Sequence, residues 1–276
     1  MNQAHEDNVK ALPRIRRVDG PTSLEAPIHY TIATLVNDMG QYEAMKTSFI
    51  SAGFLVDDCE YVLVDNTSAP QTDAYRGLNA LLSTARGEFV ILCHQDVRLF
   101  TDTRADLDKR LSKLSEIDCR WALAGNAGGI RPGELAIRIT DPHGANQKAG
   151  NLPARVQTLD ENFIIVRREA RIGFSNDLTG FHYYGADICL HADIAGYTAY
   201  VIDFHLAHLS AGRKDGTFRD MEEKFRSAWQ MKLRPRWLQT TCNLVHISGG
   251  AISQITGRLA ETSLSRIKRR LPGSNA

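Results

Sequence analysis

Apolar positions in the first hundred residues follow two alternating rhythms. The run 30-YTIATLVND-38 is β-branched and nearly continuous, then turns polar at its end. In 41-QYEAMKTSFISAG-53, Met45, Phe49 and Ile50 fall at helical spacing, and Gly53 supplies a stop. A second continuous run, 60-EYVLVDNTS-68, precedes 72-TDAYRGLNALLSTARG-87, where Leu78, Leu81 and Leu82 share a helical face. The third run is 89-FVILCHQDVRLF-100. Continuous apolar strands alternating with helices predict βαβ units and an α/β fold, with a mostly parallel central sheet flanked by helices. Right-handed crossovers place the strand C-termini on one edge, beyond which open α/β sheets bind their ligands. All three strands end in polar side chains: Asn37 and Asp38, Asp65 and Asn66, and His94, Gln95 and Asp96.

Farther along, a capped helix is expected over 101–116 and a fourth strand over 120–128. The Gly-, Pro- and Arg-rich stretch from there to about 153 reads as a binding loop or lid, with an added strand at 134–140. A strand over 161–169, a helix over 186–196 and a strand from 198 running out into His205 and His208 follow. A helix around 217–232 comes next. Residues 1–27 show no periodicity and are expected to form a flexible arm. Residues 28–248 form the main domain, and 249–276 form a basic amphipathic tail.

Composition narrows the function. A net charge of +1 over 276 residues argues against a nucleic-acid surface. No apolar run approaches the roughly 20 residues of a membrane span, and the N-terminus lacks the apolar segment of a secretory signal. The five cysteines contain no CxxC pair, so a reducing, cytoplasmic setting is expected, with the inner membrane face open to the tail. In the tail, 266-RIKRRL-271 is open to two readings, contact with anionic lipid or a solvated end.

Side chains two apart on a strand share a face, so His94 and Asp96 are expected to point together, with Gln95 opposite. Such a pair suits a divalent cation that also binds a diphosphate, Mg²⁺ or Mn²⁺, which takes few ligands from protein. Equally, His94 could cap a backbone group and Asp96 the helix near 101. No GxGxxG follows the first strand, which counts against a dinucleotide oxidoreductase. The stretch 36-VNDMGQYEAM-45 has one glycine and no basic residue before Lys46, which counts against a nucleotidyltransferase.

The succession VND, VDNTS, a helix containing Asn79 and GEFVILCHQDV resembles the nucleotide half of the GT-A fold. More narrowly, it resembles family 2 glycosyltransferases, with H-Q-D-V as a variant of their D-x-D motif. The later runs 158-TLDENFIIVRRE-169 and 181-FHYYGADICLHADIAGYTAYVIDFHLAHLSAG-212 extend the likeness over roughly residues 30 to 245. It implies a nucleotide-binding half over 28–128 and an acceptor half over 129–248. It also implies a metal-dependent, inverting transfer from a nucleoside-diphosphate sugar to a carbohydrate or lipid-linked acceptor hydroxyl, in surface polysaccharide or glycoconjugate synthesis.

By that likeness Asp96 and His208 hold the metal. Asn37, Asp38, Asp65, Asn66, Asn79, His94, Gln95 and Asp96 line the donor pocket. Asp187 is the catalytic base, and His182, Tyr183 and Tyr184 form an aromatic group for the acceptor. The sequence departs from the pattern at His94, where the motif's first acid usually stands, and at Ala186, where the base's acidic neighbour stands. Those departures keep a catalytically silent sugar-nucleotide or glycan-binding module as the alternative.

Overall fold

The computed structural model describes residues 28–210, 216–239 and 244–268; the expected arm at 1–27 lies outside them. The first half runs β1 (Ile28–Val36), α1 (Met39–Ser51), β2 (Cys59–Asp65), α2 (Ala74–Thr84), β3 (Gly87–Cys93), β4 (Val97–Arg98), α3 (Arg104–Ile117) and β5 (Trp121–Gly125). Three more strands follow, β6 (Ala127–Arg131), β7 (Glu134–Asp141) and β8 (Gly144–Ala149), then β9 (Ala154–Val156), β10 (Thr158–Leu159) and β11 (Phe163–Arg167). The remainder is α4 (Tyr184–Ile194), β12 (Thr198–Val201), β13 (Leu206–His208), α5 (Gly216–Leu233), β14 (Arg236–Gln239), β15 (Leu244–Ile247) and α6 (Ala251–Lys268).

Seven strands form the main sheet in the order β2-β1-β3-β11-β5-β12-β9. β1 pairs in parallel with β2 and β3, and β12 with β5, whereas β11 and β9 run against their neighbours. Both faces are covered, as the continuous apolar strands require. Val90 and Leu92 of β3 join one core with Leu78 and Leu81 of α2 and Ile188 of α4. Phe89 and Ile91 join the other, with Met45 and Phe49 of α1 and Leu107 and Leu111 of α3. The helix starts follow local rules: Asp38 caps α1 by accepting from the Gln41 amide. Thr103 and Asp106 form a reciprocal capping box on α3.

Two expectations change. The stretch at 129–153 is not a loop: β6, β7 and β8 form an antiparallel meander, with β10 on its edge. Its glycines serve close approach, because a Cβ on Gly128 would collide with the Thr158 carbonyl oxygen. The single strand expected from 198 is two. β12 stays in the main sheet, and β13 crosses to the smaller one, parallel to β7 and antiparallel to β4. β14 and β15 make a separate hairpin.

Candidate metal and donor site

The strand-end residues surround a cavity of about 280 Å³, lined among others by Leu35, Asn37, Asn66, His94, Asp96 and Glu161. Beyond β3 the chain turns: the His94 amide donates to the Asn162 carbonyl and the Val97 amide to the His94 carbonyl. β4 then pairs with β13, setting Val97 opposite His208, while the Leu209 amide donates to the Asp96 carbonyl. A turn and a two-residue ladder, not one continuous strand, therefore bring His94, Asp96 and His208 together. Gln95 lines the same cavity, but the turn sends its side chain to Asn37 and Asp38, so strand alternation does not set its direction.

The geometry is close. His94 Nδ1 lies 3.3 Å from His208 Nε2, which lies 3.3 Å from Asp96 Oδ1. One ligand atom from each of the three residues fits within a span of 4.8 Å. On its far side His94 Nε2 meets the Tyr184 hydroxyl at 2.6 Å, and that hydroxyl donates to the Glu161 carbonyl at 3.2 Å. In the tautomer that donates Nε2–H to this hydroxyl, the Nδ1 lone pair of a neutral His94 faces the cluster. Burial and the neighbouring His208 charge push the His94 imidazole toward that neutral form. Burial alone would raise the Asp96 carboxyl. The hydrogen bond and charge of His208, with His94 behind it, outweigh burial and hold Asp96 well below the usual carboxylate range. Two imidazole nitrogens and an ionised carboxylate facing one point are a fitting donor set for a dication, which would displace any proton held between them.

The other expected residues divide. Gln95 is a latch: its Oε1 accepts from the Asn37 and Asp38 amides, and its Nε2 donates to Asn37 Oδ1. Asn66 is buried and pairs with both backbone groups of Thr72, shaping the cavity wall. Asp38 is committed to its helix cap. Asp65 is exposed, accepts from Thr67 and is not among the residues that line the cavity. Asn79 belongs elsewhere: its side chain pairs with the Phe174 backbone, because α2 must tie down the segment entering α4.

Asp187 also departs from expectation. It is fully buried, and its oxygens accept from the Ser175 amide, the Ser175 hydroxyl and Trp229 Nε1. It clamps the start of α4 and does not line the cavity. Tyr183, held at φ +67°, stacks on Phe225, and His182 packs on Phe218, so these rings seat α5. Tyr184 lines the cavity, but its hydroxyl serves His94.

One carboxylate at the cavity is not among the residues that the sequence singles out. Glu161 lines the cavity, and burial together with the charge of Asp160 pushes its carboxyl up to about 8 against opposing backbone amides. The missing signal was strand direction. Because β11 runs against β3, its N-terminal approach, not its exit, meets the polar edge. A pair of acids before an apolar strand is the residue pattern such an approach leaves.

No model of a known protein family matches the chain. A protein of Fuscovulum blasticum described as "ATP synthase subunits region ORF 6" is 34% identical over 232 residues, covering 82% of this chain and 93% of that protein. Among solved structures, S. aureus TarS 1-349 in complex with UDP-GlcNAc aligns with a TM-score of 0.50 at 13% identity, over 72% of this chain and 65% of that one. The mannosyltransferase PcManGT from Pyrobaculum calidifontis, in complex with GDP-Man and Mn²⁺, gives 0.49 at 17% identity, over 78% and 68%. At 13% identity the likeness to TarS speaks to the fold alone, which is GT-A.

Proposed function

The chain belongs to the family of the Fuscovulum blasticum protein "ATP synthase subunits region ORF 6", and on that footing, with its GT-A fold, we propose that it is a metal-dependent glycosyltransferase. The donor is a nucleoside-diphosphate sugar and the acceptor a carbohydrate or lipid-linked hydroxyl, with inversion by a single displacement. The observation that carries this reading is the convergence of His94, Asp96 and His208 on one point at the cavity.

Those three residues would hold the cation, which, when bound, neutralises the charge that grows on a departing diphosphate. Mg²⁺ prefers an all-oxygen shell, so a set with two imidazoles favours Mn²⁺ of the expected pair. Tyr184 orients His94. The Gln95 latch and Asn66 keep the strand ends open around the nucleotide. Glu161 takes the proton of the attacking hydroxyl, since Asp187 is buried and is not among the residues that line the cavity. A carboxyl whose pKa is raised toward the working pH is suited to general-base work.

The test is nucleotide binding read by thermal shift, with UDP, GDP and dTDP and their sugars, with and without Mn²⁺. One nucleoside diphosphate should stabilise the protein only when Mn²⁺ is present, and Asp96→Asn should remove that effect. Stabilisation that is independent of Mn²⁺, or equal in the Asp96→Asn variant, would sink the metal assignment. The burial of Asp187 also favours a second reading, a silent binding module. Donor hydrolysis by the unaltered protein that disappears in Glu161→Gln decides against it.

A further inference from the structure

A second cavity, of about 410 Å³, opens at the sheet edge opposite the metal site, where β3 begins and β11 ends. It is larger than the donor cavity and falls in the size range of small-molecule sites, which are mostly apolar with a few fixed polar groups. Leu82, Val90, Val166 and Ile172 supply its apolar wall, and Val90 and Val166 are register partners in the main sheet. Arg168 and Arg171 supply its charge, and no Asp or Glu lines it.

Neither arginine is spent on a carboxylate. Arg86 and Arg167, next in the chain to Gly87 and Arg168, pair with Glu60 and Glu169, whereas among the described residues Arg168 and Arg171 have no acidic partner. Arg168 donates through Nε to the Gly87 carbonyl at 2.7 Å, which fixes its guanidinium plane and leaves both terminal amino groups for a ligand. Arg171 closes a single 3-10 turn, Arg168–Ala170, by donating its amide to the Arg168 carbonyl. Its backbone is left-handed, at φ +52°, a conformation that glycine and asparagine adopt more readily. An arginine kept in that conformation, beside a second one, breaks the local rule where a binding function would. Two like charges on one acid-free cavity repel each other, and an anion between them removes that cost.

We propose that this cavity binds an organic phosphate monoester, with the phosphate held by Arg168 and Arg171 and the body of the ligand resting on Leu82, Val90 and Ile172. A guanidinium fork matches phosphate oxygens, and a dianion balances two cations where a carboxylate would balance one. The site is distinct from the donor cavity, with which it shares no lining residue. Asn79, on its wall, bonds both backbone groups of Phe174, whose ring meets Tyr184 edge-on, so an occupant adjoins the segment entering α4. The inference does not rest on the cation or the donor.

The experiment is titration calorimetry of the full chain with phenyl phosphate in EDTA, so that no cation serves the donor cavity. The unaltered protein should bind it with a Kd at or below about 1 mM, and inorganic phosphate, which lacks the apolar body, about ten-fold more weakly or worse. Arg171→Gly relieves the left-handed backbone, so it should keep its thermal transition while binding phenyl phosphate about ten-fold more weakly or worse. Arg168→Lys keeps the charge and loses the fork, and it should weaken binding as well. Asp96→Asn alters the donor cavity alone and should bind phenyl phosphate as the unaltered protein does. No binding up to about 10 mM, equal binding by Arg171→Gly, or loss of binding in Asp96→Asn overturns the proposal. Equal affinity for inorganic phosphate and phenyl phosphate also overturns it, because the apolar wall would then contribute nothing.

Discussion

Tyr184 shows how much rests on single hydroxyls. It sits behind His94, one of the proposed metal ligands, and its hydroxyl meets Nε2, which leaves Nδ1 turned toward the cluster. Tyr184→Phe should weaken Mn²⁺ binding by roughly 10–100-fold with little change in fold, measured by titration calorimetry on the unaltered and substituted proteins. Equal affinity in both would remove Tyr184 from this role. Glu161 carries a prediction of a different kind. Its carboxyl is raised from 4.5 to about 8, so the folded state favours the neutral form. That contribution is complete below pH 4.5 and is lost as pH rises through about 8. Glu161→Gln should therefore leave stability unchanged near pH 4 and raise it by about 1–3 kcal/mol at pH 9 in denaturant titrations. The types and order of His94, Asp96 and His208 were legible in the chain. Tyr184 and Glu161 were not legible in these roles, because their places depend on the direction of β11 and the entry angle of α4, which no local pattern encodes.

Among the elements, α4 is the one whose start was read for chemistry and turned out to be held by architecture. An acid one turn into a helix fits both a base and a clamp, and the burial that separates them comes from α5, far along the chain. Asp187→Asn leaves an amide with one acceptor oxygen facing three donors, which should cost about 2–4 kcal/mol of stability. Circular-dichroism melting would show it. A variant that melts normally, binds donor and has lost turnover would return Asp187 to the base role. The βαβ units of the first half were legible because each strand is apolar on both faces. The β6–β8 meander was not: its strands lie at a partly exposed edge, so their apolar residues are sparse and their glycines look like loop punctuation.

At the scale of the molecule, the two sheets meet where β13 leaves β12 and comes to lie beside β4. That junction holds the cluster, and a register slip of one residue in β13 would turn His208 to the opposite face. Ligand affinity and sheet closure are therefore linked. Removing bound cation with a chelator should lower the thermal transition of the unaltered protein and leave that of His208→Ala unmoved, which differential scanning calorimetry reads directly.

The pairing of Val97 with His208 also has a kinetic meaning. It joins positions more than a hundred residues apart, so closing that loop early costs chain entropy that few other contacts yet repay. A cation captured there would find its ligands late on the route to the native state. Mn²⁺ should thus leave the refolding rate in stopped-flow experiments nearly constant and slow the unfolding limb, making the ion a brake on escape from the native state and not a seed for reaching it.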